Sequence, residues 1–273
     1  MLRYSYIFMD RLSSLHAPAD VHRLLGTLRD CGYDGVEFNL TRPIGLDPAF
    51  LERAVNQHQL AVPSFLTGEA YFDGLCLSSP RAEVRRQTVD RLVSYLPIAQ
   101  RFGAILVVGL LQGTRRDEPN PEAAAERIVN SLREFAEAAE KAEVDIVIEP
   151  VNHLQVGFHN TAAEVRELIE KIGSPAVRPM VDTVHMNIEE ASLTQPIYDC
   201  GAALRHVHLC ESNGGQFGTG HVDFAAVLQA LDTIGYSGFA SVKVYRHLPL
   251  PQAARTSIDY LRNKARPLVT ATP

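Results

Sequence analysis

The sequence predicts a single (β/α)8 TIM barrel with parallel strands, an α/β fold occupying residues 1–273 as one domain. Short apolar runs alternate eight times with helical patterns, one unit for about every 34 of the 273 residues. A chain of this length suits one barrel. A doubly wound open sheet is the alternative, but no Gly-x-Gly-x-x-Gly follows the first strand.

The predicted strands are short apolar segments bounded by polar residues. Residues 104–110 are nearly continuous in Ile, Leu and Val, as expected of a parallel strand covered by helices on both faces. The sixth strand ends at Asp182. The other six predicted strands cover residues 3–8, 34–40, 60–66, 144–150, 205–210 and 238–245.

Apolar periodicity and cap signals predict the helices between these strands. The first helix carries Val21, Leu24, Leu25 and Leu28 on one face. Asp-Pro at 47–48, Asn-Pro at 120–121 and Asn-Thr at 160–161 are helix-start signals. The predicted helices cover residues 18–31, 47–59, 81–102, 121–142, 161–173, 194–203, 223–234 and 251–266.

The composition excludes several classes of function. A formal net charge of −6 argues against nucleic acid or an acidic membrane surface as a partner. We find no signal peptide and no apolar run of about 18 residues that could span a membrane. The four cysteines show no Cys-x-x-Cys spacing, which is typical of free thiols in a reducing compartment. The sequence therefore predicts a cytoplasmic protein.

Functional residues of a parallel barrel lie at the carboxyl ends of its strands. Four neighbouring strands carry Glu149, Asp182, His208 and Lys243 at these ends. Side chains alternate along a strand, and the valines of strands seven and eight suit the helix layer, so His208 and Lys243 should point inward. We therefore expect all four side chains to meet inside the barrel.

Charges inside a barrel are costly unless they are paired or bound to metal. Two carboxylates and an imidazole are donors that Mn²⁺, Co²⁺ and Mg²⁺ accept, and the lack of thiols argues against a structural zinc site. For any one residue a satisfied polar core position is the simpler interpretation, but four together favour a site. Glu37, of inward parity on strand two, either lines the pocket or has a structural hydrogen-bonding role.

Three motifs resemble one known group of enzymes. They are Glu-Pro-Val-Asn at 149–152, Asp-Thr-Val-His-Met-Asn-Ile-Glu-Glu at 182–190 and His-Val-His at 206–208. They resemble the xylose isomerase-like superfamily, and within it the ketose 3-epimerases and the sugar-phosphate isomerase/epimerase group. The resemblance implies that Glu149, Asp182 and His208 bind a divalent metal, with Mn²⁺ the first expectation and Co²⁺ or Mg²⁺ the alternatives. It also implies that Glu149 is an acid/base group and that His185 contacts a substrate oxygen.

The sequence departs from the epimerase pattern at the positions that bind or deprotonate the substrate in that group. Lys243 replaces a strand-eight Glu that serves the relatives as second base and fourth ligand. His153 and Gln155 stand where Arg and Glu are usual, and Gly214 falls where the relatives have Arg. We count His153 with His185 and Glu37 as substrate-binding candidates. Lys243 is a catalytic base or charge stabiliser beside a metal, a Schiff-base lysine in a metal-free site, or a salt-bridged residue of a site without the usual chemistry.

These features predict a divalent-metal-dependent isomerase or epimerase that abstracts a proton next to a carbonyl, with Glu149 and Lys243 as catalytic residues. A lyase or dehydratase using the same abstraction, or a non-catalytic sugar-binding subunit, are the alternatives. The expected partner is a small carbohydrate, and assembly into a homo-oligomer is left open. The glycine-rich segment 214–221 either binds phosphate through its N–H groups or is a mobile loop.

Overall fold

The computed structural model describes residues 2–15, 17–42, 44–245 and 248–264. Eight parallel strands pair in sequence order, and the last pairs with the first to close a barrel. The predicted (β/α)8 barrel is confirmed. The strands are β1 (Arg3–Arg11), β2 (Gly35–Asn39), β3 (Ser64–Leu66), β4 (Ile105–Val108), β5 (Ile146–Ile148), β6 (Val177–Asp182), β7 (His206–Cys210) and β8 (Phe239–Lys243).

Helices connect the strands and surround the barrel. None of those in the described ranges is both long and apolar enough to cross a membrane. The helices are α1 (Pro18–Cys31), α2 (Pro48–Gln57), α3 (Glu69–Phe72), α4 (Ala82–Val93), α5 (Leu96–Phe102), α6 (Pro121–Lys141), α7 (Ala162–Ile172), α8 (Thr183–Glu189), α9 (Gln195–Cys200), α10 (Phe224–Thr233) and α11 (Leu250–Lys264). The last two residues of the predicted helix 251–266 lie outside the described residues.

The single helix predicted at 81–102 is two helices, α4 and α5, separated by Ser94 and Tyr95. Pro97 lies in the first turn of α5. A proline there has no N–H to bond to the carbonyl four residues before it, and its ring would clash with that carbonyl, so a continuous helix is broken. The helices α3 and α8 were not predicted, because helices of four and seven residues carry too little periodicity to detect.

The barrel interior is apolar on one side and polar on the other. Its apolar sector consists of Ile105, Val107, Val147 and Met180, with Leu66 packed against them. The polar sector is formed by β7, β8, β1 and β2, which carry buried serines, histidines and Glu37. The larger apolar core lies between strands and helices. The polar sector thus places ionisable groups where apolar packing alone would not need them.

Candidate active site

Four side chains meet at the carboxyl end of the barrel. Glu149 follows β5 directly, and Asp182 is the last residue of β6. His208 lies within β7, and Lys243 is the last residue of β8. The register pairs Asp182 with His208 across β6 and β7, which brings them to one level of the barrel. All four are buried, and we call them the upper cluster.

The upper cluster is a set of close opposite charges. His208 Nδ1 lies 3.2 Å from Glu149 Oε1 and 3.6 Å from Asp182 Oδ2. Lys243 Nζ lies 3.5 Å from Glu149 Oε1 and in direct contact with Asp182 Oδ2. Lys243 therefore bridges the two carboxylates, which is the arrangement that makes buried charges tolerable.

These contacts set the ionisation of the cluster. Burial would raise the pKa of Glu149, but the Lys243 ammonium and then His208 lower that pKa to about 2. Burial acts on Asp182 in the same way, and Lys243 again reverses it, so the pKa of Asp182 is also lowered. Burial would lower the pKa of Lys243, yet Asp182 holds it well above the usual value. Burial would lower the pKa of His208 as well, yet its contacts with Asp182, Glu149 and Glu37 hold that pKa well above the usual value. At neutral pH the cluster thus contains two carboxylates balanced by the Lys243 ammonium and the His208 imidazole.

A second buried cluster lies deeper in the barrel and is centred on Glu37. Ser5 and Ser64 donate hydrogen bonds of 3.0 Å and 2.6 Å to its carboxylate, and Ser241 donates a third. His206 Nε2 lies 3.1 Å from the same carboxylate. We call these residues the lower cluster: Ser5, Glu37, Ser64, His206 and Ser241. His208 joins the clusters, because its Nε2 lies 3.4 Å from Glu37 Oε2.

His185 approaches the upper cluster from α8. Its Nε2 lies 3.7 Å from Glu149 Oε1 and 3.9 Å from Asp182 Oδ2. Asn152 Nδ2 lies 2.7 Å from His185 Nδ1, so the amide donates to Nδ1 and the Nε2–H faces the cluster. Burial lowers the pKa of His185 and favours this neutral form. Asn152 was not among the predicted site residues, although its motif was singled out.

A cavity of about 180 Å³ opens above these groups. Glu149, His185 and Lys243 supply its charged and polar floor. The rest of its lining mixes apolar side chains with a few polar ones, among them Leu66, Phe72, Leu110, Val151, Asn39, Gln155 and Tyr245. Gly109 is also required here, since a Cβ at that position would lie only 2.7 Å from Glu149 Oε2. A small polar molecule therefore has one concave place to meet the upper cluster.

Two predicted substrate-binding residues lie away from this cavity lining. The exposed His153 contacts Glu189 of α8, which accepts a 2.6 Å hydrogen bond from the His153 backbone N–H. Glu37 is fully buried within the lower cluster. The substrate-binding roles of both residues stay predictions, whereas His185 does line the cavity.

The backbone in and beside the glycine-rich segment 214–221 binds the carboxylate of Glu211. The buried carboxylate of Glu211 accepts hydrogen bonds from the backbone N–H groups of Ser212, Gly218 and Val222 at 2.9, 2.9 and 3.1 Å. A Cβ at position 220 would lie 2.4 Å from Glu211 Oε1, so glycine is needed for this close approach. These three N–H groups are therefore committed to Glu211.

Among the residues that the structure describes, two groups have donor atoms close enough to hold a metal ion, with the donor atoms of each group within 4.8 Å of one another. They are Glu149, Asp182 and His208, and Glu37, His206 and His208. The first group has the donor types of a divalent-ion site, two carboxylates and an imidazole. The residue at the fourth ligand position of the epimerase pattern does not fit a metal, because it is Lys243, whose ammonium contacts Asp182 Oδ2. A divalent ion and Lys243 would place two cations on one carboxylate.

Comparison with known proteins agrees with this geometry. The profile of the family described as xylose isomerase-like TIM barrel matches residues 25–264. A ketose 3-epimerase of Arthrobacter globiformis is 32% identical over 213 residues, covering 77% of this chain and 72% of that protein. An L-ribulose 3-epimerase of Mesorhizobium japonicum is 32% identical over 230 residues, covering 82% and 75%. A solved structure of L-ribulose 3-epimerase has a TM-score of 0.85 at 25% identity, covering 97% and 95%. The chain therefore belongs to the family of xylose isomerase-like TIM barrels, as its strand-end motifs predicted.

Proposed function

We propose that this protein is a sugar epimerase that inverts a carbon next to the carbonyl of a small ketose. The observation that carries the proposal is the ionised carboxylate of Glu149, which is buried at the floor of the cavity with Lys243 3.5 Å away. A carboxylate that is ionised and reaches the cavity is placed where it can accept a proton from a bound substrate. The names of the 32% identical relatives support a ketose as the substrate.

In the proposed reaction Glu149 removes the proton from the carbon beside the carbonyl. The electron pair of that C–H bond forms a C=C bond, and the carbonyl oxygen becomes an enediolate. The Nε2–H of His185, which Asn152 orients, donates a hydrogen bond to a substrate oxygen. Return of a proton from water in the cavity to the opposite face inverts the carbon and restores the carbonyl, and Glu149 then releases its proton to solvent. Lys243, whose Nζ lies 3.5 Å from Glu149 Oε1, is on the same side as this base, and its ammonium stabilises the charge of the enediolate.

The substrate we propose is not phosphorylated. The segment 214–221 is the part of the chain whose glycines resemble a phosphate loop, but its Gly218 N–H donates to Glu211 instead, as does the N–H of Val222 directly after it. The cavity of about 180 Å³ suits a molecule no larger than a simple sugar. The four cysteines are free and buried, which supports our further expectation of a reducing, cytoplasmic setting.

The divalent ion expected from the sequence, with Mn²⁺ first, stays a prediction. Glu149, Asp182 and His208 would hold it, and it would supply positive charge for the enediolate. Lys243 competes with it, because the ammonium contacts Asp182 Oδ2 and lies 3.5 Å from Glu149 Oε1. No observation favours the lyase alternative, so we do not propose it.

The test is exchange of solvent deuterium into L-ribulose and other free ketoses, followed by proton NMR with and without added Mn²⁺. We expect exchange by the wild type and a loss of about 10²–10⁴-fold in Glu149→Gln, the usual contribution of a general base. Glu137→Gln is the matched control, because that acid is exposed on α6 and lies outside the cavity lining. A wild type that binds a ketose but exchanges no deuterium under either condition would support the non-catalytic sugar-binding subunit instead.

A further inference from the structure

The fourth position of the upper cluster holds a cation where the epimerase pattern has an acid. We infer that the ammonium of Lys243 is the resident cation of this site and takes the place of a divalent ion at Glu149 and Asp182. This inference rests on the proposed function, which it deepens by naming the source of positive charge. It differs from the sequence-based expectation, in which a metal is present.

The contacts of Lys243 are those of a bound cation. Its Nζ contacts Asp182 Oδ2 and lies 3.5 Å from Glu149 Oε1, so it bridges the two carboxylates of the predicted ligand set. The ring of Tyr245 lies on another side, with its centroid 5.0 Å from Nζ, which is a cation–π distance. The side chain of Lys243 is 4% exposed. The ammonium is therefore enclosed by groups that attract positive charge.

The charge count argues against an added ion. Glu149 and Asp182 bring two negative charges, and Lys243 neutralises one of them. With His208 neutral, as it must be to bind a metal, the site has one net negative charge, whereas an acid at position 243 would give it three. Affinity for hard divalent cations rises with the number of charged oxygen ligands. The replacement thus removes a ligand and also adds a repelling charge next to the oxygens that remain.

The position of Lys243 also suits the proposed chemistry. The cavity reaches Glu149, His185 and Lys243 together, so a substrate carbonyl at its floor can meet the base and the ammonium at once. A fixed ammonium near the developing enediolate supplies electrostatic stabilisation without an ion having to bind first. The consequence is an epimerase that works in the presence of a chelator.

The experiment is a titration of Mn²⁺ into the chelator-treated full chain, with free Mn²⁺ followed by electron paramagnetic resonance. We compare the wild type with Lys243→Glu, which completes an acidic ligand set, and Lys243→Met, which removes the charge only. We expect Lys243→Glu to bind Mn²⁺ at least about 100-fold more tightly than the wild type, because both ligand number and charge change. Lys243→Met should fall between them. Lys141→Glu, an exposed position at the end of α6, controls for the same change in net charge.

Two results of the titration would overturn the inference: wild-type binding as tight as that of Lys243→Glu, or no gain in either Lys243 variant. The wild-type measurement stands even where a variant does not fold. In parallel, deuterium exchange by the wild type is measured in excess chelator. Exchange that persists supports the inference, whereas exchange that appears only with Mn²⁺ overturns it and leaves the epimerase proposal intact. If no exchange occurs under either condition, the epimerase proposal fails, and the titration alone decides which cation occupies the site.

Discussion

The barrel contains two buried clusters of similar chemistry and different accessibility. In the lower cluster the carboxylate of Glu37 accepts hydrogen bonds from three serine hydroxyls and pairs with His206. In the upper cluster, ion pairs rather than serine hydroxyls hold the carboxylates: Lys243 contacts Asp182 Oδ2 and lies 3.5 Å from Glu149 Oε1. Only the upper cluster borders the cavity, through Glu149 and Lys243.

This difference separates a structural role from a chemical one. A carboxylate whose oxygens are all satisfied gains nothing from a substrate and holds its neighbours in place. A carboxylate balanced by charge but short of hydrogen bonds can still bind or exchange a proton. We therefore interpret the lower cluster as a brace for β1, β2, β3, β7 and β8, and the upper cluster as the reactive part of the site.

The largest effect on stability is expected for Glu37→Gln. The change removes the negative charge that His206 and the serines surround, and breaking a buried pair costs about 3–5 kcal/mol. Chemical denaturation should show this loss, while the variant that still folds keeps more activity than Glu149→Gln. If Glu37→Gln instead raises KM and leaves the unfolding free energy unchanged, the substrate-binding role predicted for Glu37 is correct and our comparison is wrong.

A smaller effect on stability is expected for His159, which is linked to Glu149 of the upper cluster through Gln112. His159 Nδ1 contacts the side chain of Gln112, whose amide donates to the backbone carbonyl of Glu149. Burial lowers the pKa of His159 to about 4. Between that value and the unfolded pKa of about 6.5 the unfolded chain binds more protons, so stability falls as pH drops through this window.

The measurement is the unfolding free energy of the wild type and His159→Asn from pH 8 to pH 4. Asn suits the left-handed backbone of this position, where φ is 51°. We expect the variant to lose about 2 kcal/mol less than the wild type across the window, after allowance for the partial exposure of the ring. Parallel curves for the two proteins would show that His159 does not titrate with unfolding.

The smallest effect, about 1–2 kcal/mol, is expected for Glu211→Gln, which weakens hydrogen bonds to a charged acceptor. Glu211 lies at the same end of the barrel as the upper cluster, but its carboxylate is satisfied by backbone N–H groups. If hydrogen-bond satisfaction decides the role, the variant should lose stability and keep its turnover per folded molecule. If turnover falls as much as in Glu149→Gln, the position of a carboxylate in the barrel decides its role, and its hydrogen-bond satisfaction does not.

Local patterns were enough to predict most of the fold. Alternating apolar runs gave the eight strands, and the inward parity of His208 and Lys243 followed from the valines beside them. The exceptions were short or interrupted elements, such as the break before Pro97. Periodicity needs several turns to be visible, and a helix of four residues has only one.

The sequence by itself determined the barrel, its family and the strand ends at which Glu149, Asp182, His208 and Lys243 lie. Only the tertiary structure decided that Lys243 bridges the two carboxylates and that Glu37 is surrounded by serines from three strands. The tertiary structure also decided that the backbone N–H groups of Gly218 and Val222 donate to the carboxylate of Glu211. The physical reason is that strand parity fixes the direction of a side chain, whereas hydrogen bonds and ion pairs depend on distances between segments far apart in sequence.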